Sequence, residues 1–136
     1  MRTSIACLLA LVCSAAPALA QSRAVKPLTI YVVDVEGGNA VLFISPTGES
    51  LLMDTGNAGA VAAPRDAGRI MEAVHDAGLT QIDNLIITHW HGDHFGGLAE
   101  LAKQIPIKHF YDHGPNVQAG QAADDFLKTT YAELTA

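Results

Sequence analysis

Three apolar stretches follow one another near the start of the chain, at Leu28–Val35, Ala40–Ile44 and Leu51–Asp54. The first is rich in β-branched and aromatic residues and predicts a strand. Glu36-Gly37-Gly38-Asn39 predicts a turn in which glycine takes positive φ, so the second stretch returns as its hairpin partner. Ser45-Pro46-Thr47-Gly48 predicts a second turn, and the third strand stops before Thr55-Gly56. Near-continuous apolar runs of this kind predict strands covered on both faces. Small and polar positions from Asn57 to Ala63 predict a loop. From Pro64-Arg65-Asp66 the spacing becomes helical: Ile70, Met71, Val74 and Ala77 share a stripe, and Gly78 fits the stop. Ile82, Leu85, Ile86 and Ile87 predict a fourth strand ending at Thr88. One helix is then predicted from Phe95 to about Gln104, a strand over Ile107–Tyr111, and a last helix over Gln121–Leu134.

Three strands followed by alternating helices and strands predict an α/β layer with a mixed sheet and flanking helices. Residues 1–20 have the three parts of a secretory signal peptide: Arg2, an apolar core from Ile5 to Val12, and Ala18-Leu19-Ala20 as an A-x-A cleavage signal. The expectation is export to the periplasm or medium after cleavage near Ala20, a linker over 21–27, and one domain over 28–136. Both cysteines, Cys7 and Cys13, lie in the leader, so the mature chain has neither a disulfide framework nor a thiolate ligand. Removing the leader takes away Arg2 and no acid, leaving 7 basic residues against 14 acidic. That balance disfavours non-specific nucleic-acid binding. No other segment has the length and apolarity to span a membrane.

The candidate chemistry is concentrated at Thr88-His89-Trp90-His91-Gly92-Asp93-His94-Phe95-Gly96-Gly97. Three histidines and an aspartate fall within six residues, directly after a predicted strand. These side chains suit a borderline ion such as zinc. With six His and nine Asp in the chain, random placement gives this pattern on the order of 10⁻³ of the time. His89 and His91 are two apart, so in extended chain they point the same way and can hold one ion. The turn at Gly92 can direct Asp93 and His94 toward a second. Two adjacent ions can share a hydroxide of lowered pKa and clamp a scissile group. His75 and His109 stand apart from any ligand spacing and read as ordinary histidines. His113, in Asp112-His113-Gly114-Pro115 after the fifth strand, is a candidate for the site rim or a substrate contact.

At these residues the sequence resembles the metallo-β-lactamase fold hydrolases, whose signature is T-H-x-H-x-D-H followed by a glycine pair. The resemblance implies an αββα sandwich and two divalent ions, zinc foremost. It assigns His89 and His91 to the first ion, and Asp93 and His94 to the second. Asp93 would also orient the attacking hydroxide. An aspartate-histidine pair leans toward the phosphodiesterase, thioesterase and glyoxalase-like branches. Val33-Asp34-Val35, Gly37-Gly38-Asn39-Ala40 and Leu52-Met53-Asp54-Thr55-Gly56 resemble the opening of the competence-type DNA-uptake subgroup, which has an aspartate at the position of Asn39. Asp54 matches a family aspartate that supports the histidine loop without being a ligand; a cap on the following turn is the other reading.

The resemblance covers the N-terminal half of the fold only. A later histidine, a bridging aspartate and a final histidine are expected of a complete member, and no histidine follows His113. The chain therefore reads as a fragment or a truncated relative, with two ligands per ion, weak metal binding and little activity alone. This half by itself is expected to expose the sheet face that the other half of the sandwich covers, an apolar surface that favours aggregation or pairing with another chain. Two functions stand: a secreted metal-dependent hydrolase of ester-, phosphodiester- or lactam-type bonds in small molecules, or a non-catalytic metal-binding or interaction module of the same fold.

Overall fold

The computed structural model describes residues 26–117 and 121–136. The expected leader, and residues 21–25 of the expected linker, lie outside the described residues. The elements run β1 (Thr29–Val32), β2 (Val41–Ile44), β3 (Ser50–Met53), α1 (Ala62–Asp76), β4 (Ile82–Ile87), α2 (Gly92–Phe95), α3 (Leu98–Ala102) and β5 (Ile107–Asp112). The chain ends in α4 (Gln121–Phe126), a π turn over Leu127–Tyr131, and α5 (Ala132–Leu134).

The five strands form one sheet in chain order. β1, β2 and β3 are antiparallel, as expected of two tight turns, whereas β4 and β5 join β3 in parallel. The parallel pairing follows from the crossovers, which return the chain through α1 and through α2–α3. This is the mixed sheet with flanking helices that the order of apolar runs predicts.

One face of the sheet carries the core. Leu42, Leu52, Leu85 and Ile87 are buried against Ala67, Ile70 and Val74 of α1 and Leu98 and Leu101 of α3. Tyr31, on the same face of β1, donates its hydroxyl to Asp76 on α1 (2.9 Å). The helical stripe of Ile70, Met71 and Val74 is thus the core face of α1.

The opposite face is open. The apolar runs taken alone predict cover on both sides, but as half of a sandwich the chain is expected to expose the face its partner half covers, and among the described residues nothing packs over it. Val32 is 80% exposed, and Ile30 and Tyr111 are each 51% exposed. Register places Phe43 opposite Ile30, Leu51 beside Asn84, and Tyr111 beside Ile86, so all five strands contribute apolar side chains to this face. His109 lies on it beside Asn84.

The helix predicted over Phe95–Gln104 is instead two short helices, and the first begins inside the histidine motif at Gly92. The break has a hydrogen-bond cause. Gly96 N–H donates to Gly56 O (3.0 Å), and Gly92 O accepts from Ala58 N–H (2.7 Å), so the loop after β3 takes both groups out of the helical ladder. That approach needs glycine: a Cβ on Gly96 would overlap the backbone of Asn57 and Ala58. Among the described residues no helix is long and apolar enough to cross a membrane.

Candidate metal centre

The site lies where β3 and β4 end side by side, the position at which parallel strands commonly deliver ligand groups. Asp54 follows β3, Thr88–His91 follow β4, and α2 carries Asp93 and His94. The β1–β2 loop closes the group from one side. Asn39 N–H donates to Asp93 O (3.2 Å), and a Cβ on Gly38 would overlap that same carbonyl. Gly38 has φ +73°, so glycine is required there both for its backbone and for its lack of a side chain.

Asp54 is the hub. It is fully buried and holds a left-handed backbone, φ 61°. Its Oδ1 accepts from Thr88 N–H (2.7 Å). Its Oδ2 accepts from the Thr88 hydroxyl (2.7 Å), Asn39 Nδ2 (3.0 Å) and His94 Nδ1 (2.8 Å). A carboxylate only accepts, so His94 carries its proton on Nδ1 and presents the lone pair of Nε2. The Thr88 hydroxyl, having given its proton to Asp54, accepts from His89 Nδ1 (3.1 Å). His89 therefore also presents its Nε2 lone pair. Oriented imidazoles of this kind are what metal-binding histidines require.

The presented atoms face one another in pairs. His89 Nε2 lies 2.9 Å from His91 Nδ1, and His94 Nε2 lies 3.7 Å from Asp93 Oδ2. Two donors on one tetrahedral ion, each about 2.0–2.1 Å from it, stand about 3.3 Å apart. The two pairs bracket that value, and their N,N and N,O chemistry fits a divalent ion. The His89 and His94 rings are 3.9 Å apart, so the pairs are adjacent. Burial, and then repulsion from His94 and His91, lowers the His89 pKa against the pull of Asp54 and Asp93. The neutral, ligating form is thereby favoured. Among the described residues, no three His, Cys, Asp or Glu side chains are grouped to hold one ion.

His113 does not join this group. Its ring packs toward Trp90, with centroids 6.2 Å apart. Trp90, between the two histidines in sequence, points away from them into the helical layer, where its Nε1 donates to Gly114 O (2.8 Å).

Several supporting residues are not evident from sequence. Thr88 and Asn39 lie within motifs, but the motifs do not reveal that both donate to Asp54. Asp66 reads as an ordinary helix-start charge, yet it is fully buried. It accepts from Asn57 N–H (2.8 Å), Asn57 Nδ2 (2.9 Å) and Arg65 Nε (2.8 Å). Burial alone would raise its carboxyl pKa; Arg65 and Asn57 outweigh that and hold it below the ordinary value. Asn57 also donates to Val35 O (2.6 Å), and both Arg65 and Arg69 pair with Glu36. The β1–β2 loop that backs Asp93 is thus tied to α1. The one sequence signal was the pair of arginines a helical turn apart.

Residues 33–128 match the sequence profile described as the metallo-beta-lactamase superfamily. Among curated proteins, the chain is 31% identical over 96 residues to a lactamase-like protein of Pestalotiopsis microspora, covering 66% of this chain and 28% of that one. It is 32% identical over 108 residues to an atrochrysone carboxyl ACP thioesterase of Cryptosporiopsis sp., covering 74% of this chain and 32% of the relative. It is 31% identical over 105 residues to a thioesterase of Emericella nidulans, covering 76% and 29%. The chain thus spans less than a third of the length of these relatives. None of the three is named as a DNA-uptake protein. Among solved structures it is similar to a subclass B3 metallo-beta-lactamase from a soil metagenome library, with TM-score 0.48, 26% identity, and coverage of 72% of this chain and 32% of that one.

Proposed function

The chain belongs to the metallo-β-lactamase superfamily, and from that premise we propose that it carries the first ligand pairs of a divalent-metal hydrolase acting on an ester-type bond, with a thioester the foremost substrate class. The observation that carries the proposal is the facing of His89 Nε2 with His91 Nδ1 and of His94 Nε2 with Asp93 Oδ2. A bound divalent ion, zinc foremost, would polarise the scissile carbonyl and lower the pKa of a water there. The chain's own residues do the rest. Asp54 and Thr88 fix the tautomers of His94 and His89. Asp93, whose side chain is 48% exposed, keeps an oxygen available to accept a proton from the attacking water. The thioester preference is supported by the relatives named as thioesterases.

Zinc titration of the full-length protein that carries this chain, unaltered and as Asp93→Ala, tests the reading. The variant should lose the metal held through His94 and most turnover of a model thioester, because it lacks a ligand and a proton acceptor together. Unchanged metal content with an unchanged rate would sink the assignment.

A non-catalytic metal-binding module is the second reading, supported by the absence of a three-ligand group among the described residues. Stoichiometric zinc binding without turnover of ester, thioester, phosphodiester or lactam would favour it.

Export is part of the proposal and rests on residues 1–20. N-terminal sequencing of secreted material should begin at Gln21, and an intact Met1 on a cytoplasmic product would refute it.

A further inference from the structure

We propose that the cavity beside His91 is an acyl pocket, which takes the apolar acyl chain of the substrate and so sets chain-length preference. This rests on the ester-hydrolase reading above and adds the chemical class of what is bound. The cavity measures about 400 Å³, within the range of small-molecule sites. Trp90, Phe95 and Phe126 supply its aromatic lining, Ala58 and Ala99 contribute only methyl groups, and His91 borders it.

The walls are fixed. The Phe95 and Phe126 rings lie 4.6 Å apart, and the Trp90 ring stands edge-on to Phe95 at 6.0 Å. The indole N–H is already committed to Gly114 O, so Trp90 offers the cavity only its apolar ring. Among the described residues, no Asp, Glu, Lys or Arg lines the space. A polar group placed there would leave water without a partner to replace it, whereas a hydrocarbon chain would gain from leaving water.

Position supplies the link to the chemistry. His91 belongs both to this lining and to the pair it forms with His89. On this proposal the acyl chain lies against Phe95 and Phe126 with its carbonyl end toward His91, the residue that the cavity shares with the pair. The small residues keep the space open: leucine in place of Ala99 would occupy it without disturbing helix propensity.

Trp90 is the sole tryptophan of the sequence, so its fluorescence reads occupancy independently of turnover. Acetate and hexanoate are titrated into the chain. Four added methylenes at about fourfold each predict hexanoate binding on the order of 10²-fold tighter than acetate. Ala99→Leu should weaken hexanoate at least tenfold, and Ala99→Ser should weaken it less. Equal responses to acetate and hexanoate, or unchanged hexanoate affinity in a folded Ala99→Leu chain, would overturn the pocket. Should Ala99→Leu fail to fold by circular dichroism, the two acids on the unaltered chain decide alone. A hexanoate response at Trp90, with no ester or thioester hydrolysis by the metal-loaded full-length protein, keeps the pocket and refutes the hydrolase reading. Equal hydrolysis of acetyl and hexanoyl thioesters by that protein, with no Trp90 response, does the reverse.

Discussion

Replacing Asp54 by Asn changes one atom of the hub and leaves its shape. Asn tolerates the left-handed backbone that Asp54 holds at φ 61°, so strain at that position stays nearly constant. Oδ1 can still accept from Thr88 N–H. An amide nitrogen now stands where Oδ2 accepted from Thr88, Asn39 and His94. The Thr88 hydroxyl can rotate and accept, and His94 can move its proton from Nδ1 to Nε2. Asn39 cannot adapt as readily, because turning its amide would set its oxygen against Met53 O. One stranded buried donor costs about 1–3 kcal/mol, and the lost charge-assisted bonds add to it. The expected destabilisation is about 2–4 kcal/mol by urea unfolding, a large share of a typical domain's 5–15 kcal/mol. The tautomer change is the sharper readout. Nitrogen-15 NMR of the ring should show the proton of His94 on Nε2, the atom that faces Asp93, and zinc affinity should fall with it. Stability within about 0.5 kcal/mol of the parent, or a proton still on Nδ1, would refute the argument that Asp54 sets this ligand.

Gly38→Ala should displace Asp93, since the new methyl meets the Asp93 carbonyl at a positive φ; we expect a loss of about 1–3 kcal/mol in thermal unfolding and weaker zinc binding in a titration. Asp83 is held at about 2, chiefly by the Ser50 N–H, with Lys108, the Ser50 hydroxyl and Gln81 helping against burial. Because its folded pKa is depressed below the ordinary 3.8, its contribution is full above about pH 4 and is lost as pH falls through about 2. Asp83→Asn should therefore flatten the stability profile across that window by about 1–2 kcal/mol in acid denaturation, and an unaltered slope would contradict the assignment. Tyr131→Phe removes the hydroxyl bond to Asp112 (2.7 Å) and should cost about 1–2 kcal/mol in urea unfolding. Burial, and then Asp112, raise the Tyr131 phenol, so alkaline absorbance titration of the parent should show a tyrosine ionising above the ordinary range.

The strands and their order were legible because each is a short apolar, β-branched run between turn residues, and such runs have few other solutions. The histidine loop was legible because the ligand residue types fall together along the chain. Features made by distant backbone groups were not. The split between α2 and α3 depends on Gly96 N–H reaching Gly56 O, forty residues back, and a glycine pair in a helical pattern does not announce that partner. The burial of Asp66 is not legible because its neutralising partners, Asn57 and Arg65, are unremarkable in sequence. The open sheet face follows from reading the chain as half of a sandwich; the apolar runs alone say what a surface would gain by being covered, not whether the described residues cover it. Asn39 could be seen to depart from the subgroup's aspartate. Only the structure shows what the amide does, donating to Asp54 where a second carboxylate would repel it.

The chain-order sheet also bears on the sequence of events in folding. Each strand adds to the edge left by its predecessor, so β1, β2 and β3 can pair through short loops as the chain emerges. The hub cannot be completed on that schedule. Asn39 lies within the meander, but the other partners of Asp54 are Thr88 and His94, 34 and 40 residues further on. Until they arrive, Asp54 stands beside an unfinished loop, with only Asn39 to meet its carboxylate. The expected order is therefore meander first, crossover next and histidine loop last. A chain halted before Thr88 would have most of its antiparallel pairing and none of its metal chemistry.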